Sequence, residues 1–130
     1  MISNYLIIGL GGFFGAVARY MVALWIGQRW GRIFPLGTFA VNVSGSFLIS
    51  LLMSLFAEKY MVNPQVRLFL VVGFIGAYTT FSTFEYETGN LVKDGEWSIA
   101  LANVILSVIA GFMALKLGEF IAKSLQEITL

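Results

Sequence analysis

Residues 73–84 read Gly73-Phe74-Ile75-Gly76-Ala77-Tyr78-Thr79-Thr80-Phe81-Ser82-Thr83-Phe84. They lie in the middle of an apolar run, 67–92, that is long enough to cross a bilayer, for which about 20 residues suffice. Five hydroxyl residues, two glycines and four rings therefore sit at membrane depth. Glycine and consecutive threonines weaken a continuous helix. Non-helical backbone at that depth survives only when it is buried in protein or lines a cavity. Two readings stand level on spacing alone. In one the helix breaks and frees carbonyls able to bind a desolvated cation. In the other it stays continuous, with Thr hydroxyls bonded to preceding carbonyls.

Outward from this stretch, three further runs have spanning length: 2–26 with one charge, Arg19; 38–57 with none; and 97–116. Trp25, Trp30, Tyr60 and Trp97 stand at run ends, where amphipathic rings favour the headgroup zone. Residues 117–130 read as an extension of the fourth helix leaving the membrane. The first run has no basic residue before Arg19, and its glycines fit packing better than cleavage, so it reads as a retained helix. The expectation is one all-α, four-helix membrane domain over 1–130. Composition agrees: 58% of the residues are hydrophobic and 12% charged, with a mean hydropathy of +0.86. A soluble domain carries about 25% charged residues.

The same composition excludes much chemistry. Without Cys there are no disulfides or thiolate sites. Without His the usual triads and imidazole ligands are missing, and an enzyme is not expected. No basic patch points to nucleic acid. The eight Lys and Arg residues divide evenly by side. Lys59, Arg67, Lys116 and Lys123 fall with the N-terminus, and Arg19, Arg29, Arg32 and Lys93 fall opposite. Orientation is normally set by an excess of Lys and Arg in cytoplasmic loops. An even division predicts insertion both ways up and head-to-tail pairing of two copies, unless one misplaced charge fakes the tie.

Polar residues inside the spans supply the candidate sites. Asn42, Ser46, Ser50 and Ser54 recur at steps of four, so they share one face of the second helix. That stripe should face protein or a water-filled path rather than lipid. Asn103 and Ser107 are one turn apart in the fourth span, with Gly111 next on that face. Gly11 with Gly15, and Gly12 with Ala16, form small-residue pairs that let helix backbones approach closely. Phe81 and Phe84 stand three apart. Their positive ring edges could contact an anion in a pore; on spacing alone, lipid-facing rings explain them more simply. Glu85 and Glu87 fall late in the third span and are expected at a vestibule or beside Arg19.

Three blocks together resemble the small bacterial fluoride channels of the Fluc/CrcB family. They are Gly11-Gly12-Phe13-Phe14-Gly15-Ala16-Val17-Ala18-Arg19-Tyr20; Gly37-Thr38-Phe39-Ala40-Val41-Asn42 with Gly45-Ser46-Phe47; and Gly73-Phe74-Ile75-Gly76 with Thr79-Thr80-Phe81-Ser82-Thr83-Phe84 and Glu87. The resemblance covers all four spans. It implies a multi-pass protein of the bacterial inner membrane, an antiparallel dual-topology homodimer with two pores, and passive export of fluoride. It further implies that Phe81 and Phe84 are the pore phenylalanines and that Asn42 is the pore amide. Carbonyls of Gly76 and Thr79 from both subunits would hold a structural Na⁺ that is not transported. Arg19 and Glu87 would belong to a vestibule, and Thr83, Asn103 and Ser107 to the fluoride path. The chain departs from the family pattern at Ala77-Tyr78, where a second glycine is common, at Glu85, and at Asn103 and Gly111 on the fourth span. The rival is a small four-helix multidrug exporter, which needs a membrane-embedded carboxylate absent from the first span.

Overall fold

The computed structural model describes residues 1–58 and 63–128. Lys59 of the charge division, Tyr60 of the interfacial rings and the last two residues of the tail lie outside the described residues. Helix α1 spans Ile2–Trp30 and α2 spans Leu36–Glu58. The third span is composite: α3 (Pro64–Arg67), a π-helix (Leu68–Ile75), α4 (Gly76–Tyr78) and α5 (Phe81–Lys93). Helix α6 runs unbroken over Trp97–Ile128. Four helical stretches are thus long and apolar enough to cross a membrane, and no strand occurs among the described residues.

Local chemistry sets the ends. Gly31 stops α1 in an extended conformation while its N–H still bonds to the Gly27 carbonyl at 3.0 Å. Pro64, which has no N–H to leave unpaired, opens α3, and Asn63 caps it by accepting the Gln65 N–H at 2.9 Å. Trp25, Trp30 and Trp97 are all exposed, as end-of-span anchors would be. The fourth helix carries the 117–130 stretch without interruption as far as Ile128.

With no water to exclude in lipid, helices associate through close packing and small residues. Helix α1 lies along the π-helix at backbone distance. A Cβ on Gly15 would overlap the Phe74 carbonyl, and one on Gly73 would come within 2.7 Å of the Ile8 carbonyl. Gly11 faces the Phe69 carbonyl in the same way. Helix α2 packs along α6, where Gly118 admits the Phe47 carbonyl and Ser50. Ser50 Oγ donates to the Leu115 carbonyl at 2.6 Å, and Gln126 Nε2 to the Ser54 carbonyl at 3.2 Å. The Ser50 hydroxyl of the polar stripe on α2 is therefore consumed by a contact with α6. The π-helix was not expected from sequence. It widens the turn immediately before the break, a placement common for π segments at functional sites.

Candidate functional site

The third span breaks at Thr79 and Thr80, whose backbones are both extended (φ −86°, ψ 156° and φ −149°, ψ 121°). Branching at Cβ suits threonine to that conformation. This settles the choice between a broken and a continuous helix. Two side chains take over the N–H groups released, those of Thr80 and Thr83. Asn42 Oδ1 accepts the Thr80 N–H at 2.8 Å, and Asn42 Nδ2 donates to the Thr80 carbonyl at 2.9 Å. Thr80 Oγ1 accepts the Thr83 N–H at 3.3 Å, capping α5, and donates to Thr83 Oγ1 at 3.0 Å.

These bonds have a consequence for two carbonyls. In a continuous α-helix the Gly76 carbonyl accepts the Thr80 N–H and the Thr79 carbonyl accepts the Thr83 N–H. Both donors are diverted here, the first to Asn42 and the second to Thr80 Oγ1. The break thus takes the helical donors away from the two carbonyls that the family resemblance names. They are neutral, hard donors of the kind that hold alkali or alkaline-earth cations.

Two cavities meet at Thr80. One, about 350 Å³, is lined by Asn42, Ser46, Thr79, Thr80 and Phe81, among others. The second, about 300 Å³, is lined by Arg19, Thr38, Thr80, Thr83 and Glu87. Arg19 and Glu87 thus border one space, but they form no ion pair among the described residues. Glu87 Oε1 accepts from Thr38 Oγ1 at 2.9 Å. Arg19 Nε and Glu87 Oε2 are buried without a hydrogen-bond partner. Glu87 and Thr38 also border a third cavity with Arg32, so Arg19 opens toward the same end of the protein as the α1–α2 connection. Glu85 is exposed and takes no part.

Phe81 is 74% exposed and Phe84 9%, with ring centroids 6.0 Å apart and planes tilted by 47°. Only Phe81 reaches the first cavity. Phe84 is buried, and its carbonyl ends a chain of hydrogen bonds that links α5 to α6. Ser107 Oγ donates to Asn103 Oδ1 at 3.3 Å, Asn103 Nδ2 to Thr88 Oγ1 at 2.9 Å, and Thr88 Oγ1 to the Phe84 carbonyl at 2.8 Å. Asn103 is 1% exposed, so this relay satisfies an amide that would otherwise be costly to bury. Thr38 and Thr88 are absent from the sequence-based candidates. Thr88 could have been found one turn beyond Phe84, on the side of α5 facing Asn103.

Against this geometry, residues 6–119 match the family described as "CrcB-like protein, Camphor Resistance (CrcB)". A relative from Solibacter usitatus, named "Fluoride-specific ion channel FluC", is 50% identical over 120 residues, covering 92% of this chain and 98% of the relative. A relative of the same name from Geotalea uraniireducens is 46% identical over 123 residues, covering 95% and 99%. A third, from Hydrogenovibrio crunogenus, is 44% identical over 116 residues, covering 89% and 88%. The match extends from α1 through the break to α6, and the chain is a multi-pass membrane protein of the CrcB-like family.

Proposed function

We propose that this chain is a fluoride-selective channel that lets cytoplasmic fluoride leave passively, and that it works as an antiparallel homodimer with two pores. The observation that carries this reading is that two cavities share Thr80 in their walls, one bordered by Arg19 and the other by Asn42 and Phe81. The near full-length relatives named as fluoride channels supply the ion. No catalytic step is involved.

Fluoride is small and strongly hydrated, so its path must replace water with donors and still let the ion go. A carboxamide has two N–H donors and a hydroxyl has one. Asn42 and Asn103 each spend one N–H inside the chain, and the Thr83 hydroxyl accepts from Thr80 while keeping its own hydrogen. These residues, with Ser107 and the ring edges of Phe81 and Phe84, can solvate fluoride without a fixed cation that would trap it. Arg19 raises the local anion concentration in its cavity before the narrow part is reached.

The second copy supplies what one chain leaves open. Phe81 is largely uncovered in a single chain. The released Gly76 and Thr79 carbonyls suit Na⁺ in donor chemistry, but two oxygens are too few for a shell. An antiparallel partner would contribute an equal pair. The ion would add a fixed positive charge to the centre of the assembly. The evenly divided charges favour this pairing, since neither orientation is preferred on insertion. Efflux from fluoride-loaded liposomes, with chloride-loaded liposomes as the comparison, tests the reading directly.

A further inference from the structure

We propose that the Tyr78 hydroxyl, seated on Ser44, is a second clamp on the break and positions the Thr79–Thr80 backbone for conduction. Tyr78 is the last residue of α4 and is 7% exposed. Its ring stacks on Phe74, with centroids 5.9 Å apart and planes at 12°. Its oxygen lies 2.9 Å from Ser44 Oγ on α2.

The direction of that bond follows from counting hydrogens. Ser44 has one, and it points to the Ala40 carbonyl at 2.7 Å, with the Val41 carbonyl at 3.3 Å as second acceptor. Tyr78 is therefore the donor and Ser44 the acceptor. Helix α2 then holds the break at both ends: Asn42 grips Thr80 and Ser44 grips Tyr78. Between them the Thr79 side chain fills the space left by Gly45, where a Cβ would overlap its methyl. Three consecutive residues are pinned to one turn of α2. The residue between the pins, Thr79, carries one of the two released carbonyls. The importance of Thr79 to conduction rests on the function proposed above; the clamp itself rests on geometry alone.

The donor direction makes the test asymmetric. Tyr78→Phe removes a donor and keeps the stacked ring, and Ser44 keeps its own bond to Ala40. Ser44→Ala instead leaves a buried phenol hydrogen without an acceptor, the costlier of the two losses. Removing both partners abolishes the orphan. The four proteins, wild type, Tyr78→Phe, Ser44→Ala and the double variant, are reconstituted for fluoride efflux. Amide hydrogen exchange is followed in the segment 76–82, and Tyr5→Phe, an exposed tyrosine near the N-terminus, serves as control. Efflux should fall about threefold in Tyr78→Phe and about tenfold in Ser44→Ala. The double variant should recover to the Tyr78→Phe level. Exchange in 76–82 should rise in the same order, with α6 unchanged and the control like wild type.

Multiplying losses in the double variant, or exchange that rises evenly along the chain, would overturn the clamp, as would singles indistinguishable from wild type. If the wild type releases no fluoride, the proposed function fails and the exchange data alone decide the clamp. A rise confined to 76–82 in the stated order upholds it, and no local rise overturns it.

Discussion

Asn42 on α2 holds both backbone groups of Thr80, which lies 38 residues further along the chain, at 2.8 and 2.9 Å. A single side-chain amide thereby replaces the partner that the helix break removes from the Thr80 N–H, and adds a donor to a carbonyl that, at the N-cap of α5, already accepts the first bond of that helix. The third span can open inside a membrane because this amide, rather than water, satisfies its backbone. One amide N–H is left over, so under the proposed function the same residue would both position the break and solvate the ion.

Asn42→Asp keeps the acceptor for the Thr80 N–H and loses the donor to its carbonyl. It also brings a carboxylate to membrane depth, at a cost of roughly 2.5 kcal/mol or more if it stays charged. Fluoride efflux from reconstituted protein should fall by at least about tenfold, the effect of losing about 1.4 kcal/mol at the break. The chain should still fold and insert, because the α1–π-helix and α2–α6 seams are untouched. Efflux like that of wild type would remove Asn42 from the path.

Phe81 and Phe84 should separate by stability. Phe84 is buried, so Phe84→Ala leaves a void and should lower unfolding stability by about 3 kcal/mol. Phe81 is 74% exposed in the single chain, so Phe81→Ile should leave the chain folded with little change in thermal midpoint. Fluoride efflux should be suppressed all the same. A Phe81→Ile protein that conducts normally would show that its ring lies outside the path.

The glycines of α1 should separate by position. A Cβ at Gly15 overlaps the Phe74 carbonyl, whereas one at Gly9 meets nothing within 4 Å. Gly15→Ala must push α1 off the π-helix and should cost at least about 2 kcal/mol in unfolding measurements, as for an overpacked core. Gly9→Ala should be neutral, or stabilising by about 0.5 kcal/mol, since alanine loses less backbone entropy in a helix. Equal effects at the two positions would refute the packing described for this seam.

How much of this could be read from sequence differs by element. The break was foreshadowed by Gly76 and the consecutive threonines, but the spacing did not exclude a continuous helix. Deciding it took Asn42, a residue 38 positions away whose side chain makes the extended backbone affordable. The π-helix left no trace in its own residues, Leu-Phe-Leu-Val-Val-Gly-Phe-Ile, because its backbone is matched to the glycine face of α1 rather than to local propensity. Arg19 and Glu87 were legible as neighbours, since charges are rare in such spans. The intervening Thr38 was not, because a threonine in a membrane helix most often bonds within its own helix. The Asn103–Ser107 pair was legible from its four-residue spacing, while Thr88, on another helix, needed the packing of α5 on α6.

Topology has a direct check, because the chain contains no cysteine. Glu127→Cys places one thiol at an exposed position near the end of α6. In intact cells, a membrane-impermeant maleimide should label about half of this protein, and the remainder only after lysis, as equal insertion both ways requires. Labelling wholly from one side would contradict the antiparallel dimer.

The central claim is tested most directly by ion release from liposomes. Purified protein is reconstituted with fluoride or chloride inside, a potassium ionophore is added to carry the compensating charge, and each halide is followed by electrode. The expected result is rapid loss of fluoride with chloride retained, and no loss of either from protein-free liposomes. Retention of fluoride by well-folded protein, or equal loss of both halides, would contradict it.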